Sequence, residues 1–203
     1  MNNDSIRIGV LGELGVGKSE LVHRICHPTA TGPTSVSSWA GPTVDILDFE
    51  RPHSQEHVWV EFIVIPGETR HPKSRQMVYT IGLDALFLVC NCAVQRTFLR
   101  AAEWMEEAMQ INSLKSVPVA LILGGPVAVD WSLESSSNTA LSQIIDPLVK
   151  TYGAKVLDLS GYTETCALEP RQRQLIHDFF ETAVKHKKMS KQPHTGFLRP
   201  AAV

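Results

Sequence analysis

Apolar residues in this chain change period in a regular way, from alternation to helical spacing and back. Ile6, Ile8, Val10 and Leu11 mark a short strand over residues 5–11. Leu21, Val22 and Ile25 then recur at helical spacing, which predicts a helix over 17–26. Residues 28–42 break the pattern: Pro28, Gly32, Pro33, Gly41 and Pro42 stand among Ser and Thr, a long loop of the functional or mobile kind. Val44–Phe49 and Val58–Ile65, joined by the polar Arg51–His57, predict a hairpin. Leu83–Val89 is apolar enough to be a strand buried on both faces.

Residues 95–110 carry the clearest helical repeat, with Phe98, Ala102, Met105 and Met109 on one face. Val117–Leu123 reads as another buried strand, and 132–138 as a polar loop. Leu141, Ile145, Leu148 and Tyr152 repeat with helical period; Pro147 is expected to kink or split that segment and Gly153 to end it. Residues 155–159 form a last short strand. Residues 169–187 form a closing helix with Leu175, Ile176, Phe179, Phe180 and Ala183 inward. No internal repeat is present. The expected organisation is one domain over 1–187 and a mobile basic tail over 188–203. The alternation predicts a three-layer α/β domain with a six-stranded mixed, mostly parallel sheet, mixed because of the hairpin. Ligands of such sheets bind at the carboxyl ends of the strands.

Composition narrows the function classes. The chain has 203 residues, 43% of them hydrophobic, and a net charge of −2, so nothing argues for a nucleic-acid partner. No apolar run approaches the roughly 20 residues that span a bilayer. The opening Met-Asn-Asn-Asp-Ser lacks the features of a signal peptide. Four cysteines form no Cys-x-x-Cys pair, so a reduced, cytoplasmic compartment is expected. Eight histidines show no zinc-ligand spacing, and no metal site is inferred from them.

The candidate chemistry lies between the first strand and the first helix. Gly12-Glu13-Leu14-Gly15-Val16-Gly17-Lys18-Ser19 fits the pattern Gly-x(4)-Gly-Lys-Ser in full, and Glu20 follows it into the helix. The glycines let the backbone curl so that its N–H groups converge on a phosphate. Lys18 supplies positive charge to the outer phosphates, Ser19 offers a hydroxyl to Mg²⁺, and the helix start adds its dipole. The alternative is a glycine-rich turn that binds nothing.

A phosphate loop followed by this order of elements resembles the Ras-like small GTPases, and more closely their atypical Rab-like group, over about residues 5–187. Leu21-Val-His-Arg-Ile-Cys-His27 and the pair Ser38-Trp39 resemble the Rab-like protein three branch. Pro42-Thr43-Val44-Asp45 and the residues up to Pro52 also resemble the small GTPase-like subunit of intraflagellar transport. The resemblance implies a Ras-like fold, GTP or GDP as ligand, and Mg²⁺ held by Ser19 and Thr43. It also implies effector or adaptor proteins as partners. Thr43 matches the threonine whose hydroxyl binds Mg²⁺ and whose N–H meets the γ-phosphate. Gly67 matches the glycine of the family's Asp-x-x-Gly, and Ser160-Gly161 a short signature whose backbone touches the base.

Other positions depart from the family. Val64 stands where it has the Asp that anchors the Mg²⁺ shell. Glu68 replaces the water-orienting Gln and is either a poor stand-in near the γ-phosphate or a solvated charge. Gly124-Gly125-Pro126-Val127-Ala128-Val129-Asp130 replaces the guanine-reading Asn-Lys-x-Asp, leaving Asp130 two positions late. Loss of those hydrogen bonds weakens base selectivity. No cysteine follows Cys166, so no stable lipid anchor is expected. Self-association as a homodimer is left open.

Two readings follow. One is a degenerate small GTPase that binds guanine nucleotide, turns it over slowly if at all, and works through partners. The other is a GTPase-like interaction module with a vestigial site. A small-molecule kinase is a third, weakened because Arg70, Arg75, Arg96 and Arg100 form no lid-like cluster in the sequence.

Overall fold

The computed structural model describes residues 4–29, 41–52, 54–67, 72–125, 136–161 and 168–191. Six strands form one sheet: β1 (Asp4–Leu11), β2 (Thr43–Glu50), β3 (His57–Val64), β4 (Ala85–Asn91), β5 (Val119–Gly124) and β6 (Lys155–Asp158). Among the described residues, five α-helices accompany them: α1 (Lys18–Cys26), α2 (Pro72–Tyr79), α3 (Arg96–Met109), α4 (Ser136–Tyr152) and α5 (Pro170–Ser190). The strand order is β2-β3-β1-β4-β5-β6, with every neighbouring pair parallel except β2 and β3. This is the Ras-like α/β architecture, a six-stranded, mostly parallel sheet with helices on both faces.

The central strands are apolar on both sides because both sides are covered. Val10, Phe62, Phe87 and Ile122 point into one core with Leu21 of α1 and Phe179 and Phe180 of α5. Leu11, Ile63, Leu86, Leu88 and Leu121 point into the other with Phe98 and Met105 of α3 and Leu148 of α4. Glu169 and Gln172 start α5 with a reciprocal capping box, and Pro170 fills its first turn. The Arg51 guanidinium forks onto Glu181 at 2.8 and 2.7 Å, tying the β2–β3 turn to α5.

β1 lies between β3 and β4, so its carboxyl end is the point where the chain's connections diverge to opposite sides. β2 runs antiparallel to β3, and this brings its first residue, Thr43, opposite Val64 at the end of β3. The phosphate loop, Thr43, Gly67, Gly125 and Ser160 therefore share one rim of the sheet.

Several local expectations need correction. α2 is absent from the periodicity reading, because its inward residues include Arg75 and Tyr79 rather than an aliphatic stripe. α4 starts at Ser136, inside the segment expected to be loop. Pro147 does not split it: Gln143, whose carbonyl loses its helical donor there, and Pro147 itself both lie on the exposed side. α5 continues to Ser190, beyond the expected end at 187, and the tail from 192 lies outside the described residues.

Candidate functional site

The phosphate loop begins where β1 ends at Leu11. Gly12, Gly15 and Gly17 have φ of 143°, 79° and 89°, a region that L side chains rarely enter. Gly17 caps α1 from the left-handed conformation and offers no side-chain acceptor, so the first N–H groups of the helix have no side-chain cap. Such N–H groups and the helix dipole together suit an anion. Gly12 also has no room for a side chain: a Cβ there would lie 2.5 Å from the Val89 carbonyl oxygen.

Lys18 is the first residue of α1 and is only 8% exposed. Its Nζ donates to the carbonyls of Gly12 at 2.8 Å and Glu13 at 2.9 Å, which lays the side chain across the loop. Burial lowers its pKa to about 8, against an opposing pull from the Glu13 carboxylate. Keeping the ammonium charged in this setting costs about 3 kcal/mol, so an anion beside it would restore what burial removes. Ser19 is half-buried in the first turn. Glu20 is directed along the helix to Arg24, 2.7 Å from its Nε. The Glu13 carboxylate meets Arg96 of α3 at 2.7 Å.

Gly67 packs directly on this loop. A Cβ on Gly67 would stand 2.3 Å from the Leu14 nitrogen and 2.5 Å from the Glu13 carbonyl carbon. Thr43 is half-buried across from Val64. Val64 is 5% exposed and belongs to the apolar cluster of Val10 and Val16. Mg²⁺ prefers hard oxygen ligands, commonly one or two carboxylates with phosphate and water. Ser19 and Thr43 are hydroxyl donors suited to it, but the third position is hydrocarbon. No group of three His, Cys, Asp or Glu able to hold a metal occurs among the described residues. The donor set therefore fits Mg²⁺ only with phosphate oxygens and water completing the shell.

At the far side of the rim, Gly125 follows β5 with φ of 122°. Its carbonyl accepts from the Gly161 N–H at 2.9 Å, joining the loops after β5 and β6. A Cβ on Gly125 would stand 2.7 Å from Asn91 Oδ1, so the Asn91 side chain borders this turn. The Asp158 carboxylate accepts from the Ser160 N–H at 3.0 Å and from its hydroxyl at 2.6 Å. Gln172 donates to the Ser160 carbonyl at 3.1 Å. Glu68, Pro126 and Asp130 lie outside the described residues.

The structure thus joins Gly67 to the phosphate loop, Thr43 to Val64, and Gly125 to Gly161. Asn91, Asp158 and Gln172 were not among the residues expected from the sequence, and Arg96 was weighed there only as a lid residue. Asp158-x-Ser160 is a spacing at which a carboxylate turns back onto the chain, and it was readable. The contacts of Arg96 and Asn91 span long separations and had no local signal.

No family model matches the chain. The chain is similar to Rab-like protein 3 of Mus musculus, 23% identical over 124 residues that cover 59% of this chain and 51% of that protein. It is also similar to Rab-like protein 3 of Danio rerio, 24% identical over 146 residues covering 70% of this chain and 60% of that protein. The chain spans between half and six-tenths of the length of these curated relatives. Similarity at this level supports a distant relationship to Rab-like small GTPases and, with the Ras-like fold, the GTP-binding class in general.

Proposed function

We propose that this protein is an atypical Rab-like GTP-binding protein with a degenerate guanine and hydrolysis site, acting through protein partners in trafficking or signalling. The observation that carries this is the phosphate loop. Its left-handed glycines, the uncapped start of α1 and the buried Lys18 form one preorganised anion cradle. GTP or GDP is the ligand. Gly12–Glu20 hold the phosphates, Ser19 and Thr43 offer hydroxyls to Mg²⁺, and Gly67 supplies a backbone N–H. In this reading Ser160 and Gly161 meet the base, and Asp130 is the only carboxylate of the Gly124–Asp130 stretch left to read it. When bound, Mg²⁺ neutralises phosphate charge.

Hydrolysis is slow in this reading. Its intrinsic rate in the fold is on the order of 10⁻⁴ s⁻¹ even with a good water-orienting Gln, and here Val64 and Glu68 replace helpful groups. Output therefore goes through binding. The outer face of the hairpin supports this, since Val44 and Ile46 are each 58% exposed and Trp59 38% exposed. No described helix is long and apolar enough to cross a membrane.

The second reading, an interaction module with a vestigial site, is favoured by the burial of Val64 among apolar side chains. Extraction of the purified protein and chromatography of released nucleotide tests the choice. Stoichiometric GDP or GTP supports the first reading, and an empty extract together with no uptake of added nucleotide overturns it.

A further inference from the structure

The phosphate loop contains a carboxylate that works against its ligand. Glu13 is its second residue, its side chain is 17% exposed, and its charge acts on Lys18. Across Gly12–Ser19 the only ionisable side chains are Glu13 and Lys18, so their charges cancel. A polyphosphate seated there would gain little from a neutral pair, and Glu20, the next carboxylate, is already directed to Arg24.

Arg96 supplies the missing charge from another element. It is the first residue of α3, where the positive end of the helix dipole disfavours a cation. No acidic residue in that first turn explains its presence. Its guanidinium instead reaches Glu13 at 2.7 Å while remaining 73% exposed. One end of the pair is fixed in the loop and the other approaches from solvent.

We infer that Arg96 is a positioning residue for phosphate: by pairing with Glu13 it neutralises the loop's own carboxylate and leaves Lys18 as net positive charge for the ligand. The inference rests on the loop being a nucleotide site and adds a residue, outside the loop pattern, that tunes it.

The test is a set of equilibrium titrations with GDP and, separately, with inorganic pyrophosphate, which needs only the cradle. Arg96→Ala weakens both on the order of fivefold at low salt, and the loss shrinks in 0.5 M salt. Arg96→Lys keeps most of the affinity. Glu13→Gln/Arg96→Ala returns to the wild-type value or better, because no carboxylate is left to neutralise. Two results overturn the inference: Arg96→Ala within twofold of wild type, or a double variant as weak as Arg96→Ala, which would assign Arg96 to the fold alone. Wild type binding pyrophosphate without GDP preference removes the guanine reading and leaves this one standing. Wild type binding neither removes both.

Discussion

Gly67→Ala probes whether the exit of β3 rests on the phosphate loop. The new methyl would lie 2.3 Å from the Leu14 nitrogen and 2.5 Å from the Glu13 carbonyl carbon, whereas ordinary contact begins at 3.4 Å. Both obstructing atoms are backbone, so no rotamer change relieves the overlap. The two segments must separate by about 1 Å, a typical overpacking cost of about 1–3 kcal/mol. Loss of glycine's freedom in the unfolded chain returns about 0.4–1 kcal/mol. The net destabilisation is about 1–2 kcal/mol, or roughly 2–8 °C in Tm for a chain of this length. Gly82→Ala is the control: it has φ of 84° but nothing within 4 Å, so it adds left-handed strain without touching the site. Hydrogen exchange separates the two. Amides of residues 13–17 exchange faster in Gly67→Ala and remain as in wild type in Gly82→Ala. Unchanged melting and unchanged loop exchange in Gly67→Ala would refute the packing argument.

Further outcomes follow from other residues. Lys18 titrates near 8 in the free protein against 10.5 when exposed, so its burial penalty fades as pH rises from about 8 to 10.5 and the ligand-free fold gains stability there. Phosphate binding runs the other way: GDP affinity holds up to about pH 7.5 and falls toward tenfold per unit above pH 8, and a flat profile to pH 9 contradicts the assignment. Arg75 is buried on α2, held by Glu107 at 2.9 and 2.7 Å and stacked 4.8 Å from the Trp104 ring centre. Glu107→Ala removes both of these charge-assisted hydrogen bonds and lowers stability by about 1.5–3 kcal/mol; an unshifted denaturation midpoint shows that the pair does not hold α2. Trp59, 38% exposed and so mostly covered, costs about 1–3 kcal/mol on truncation to Ala but leaves a folded chain that cross-links less to partners, and equal cross-linking excludes that face.

The phosphate loop and the core strands were legible because their signals are local: a fixed glycine spacing, and apolar runs with turns at their ends. β4 reads as continuous hydrocarbon because both sheet faces are covered. α2 was not legible, since Arg75 and Tyr79 occupy its inward face and charge there reads as surface. On β2 the alternation is legible but not its sense. Val44 and Ile46 face outward while Thr43, Asp45 and Leu47 face in, because only the inner face has α1 and α5 to pack against. Thr43 and Gly67 were identified from the family pattern, and the antiparallel register of β2 explains why Thr43 reaches the same rim as the loop. The Glu13–Arg96 pair joins the phosphate loop to α3 and left no mark in sequence spacing.

The central claim is that the Gly12–Ser19 loop binds nucleotide phosphate through Lys18. Isothermal titration of nucleotide-stripped protein with GDP in millimolar Mg²⁺ tests it most directly, with wild type beside Lys18→Ala. The account predicts saturable one-to-one binding by wild type. Lys18→Ala should bind at least about tenfold more weakly, since charge-assisted hydrogen bonds contribute about 1.5–3 kcal/mol each, with an unchanged circular dichroism spectrum. No heat of binding in wild type, or equal affinity in Lys18→Ala, would contradict it.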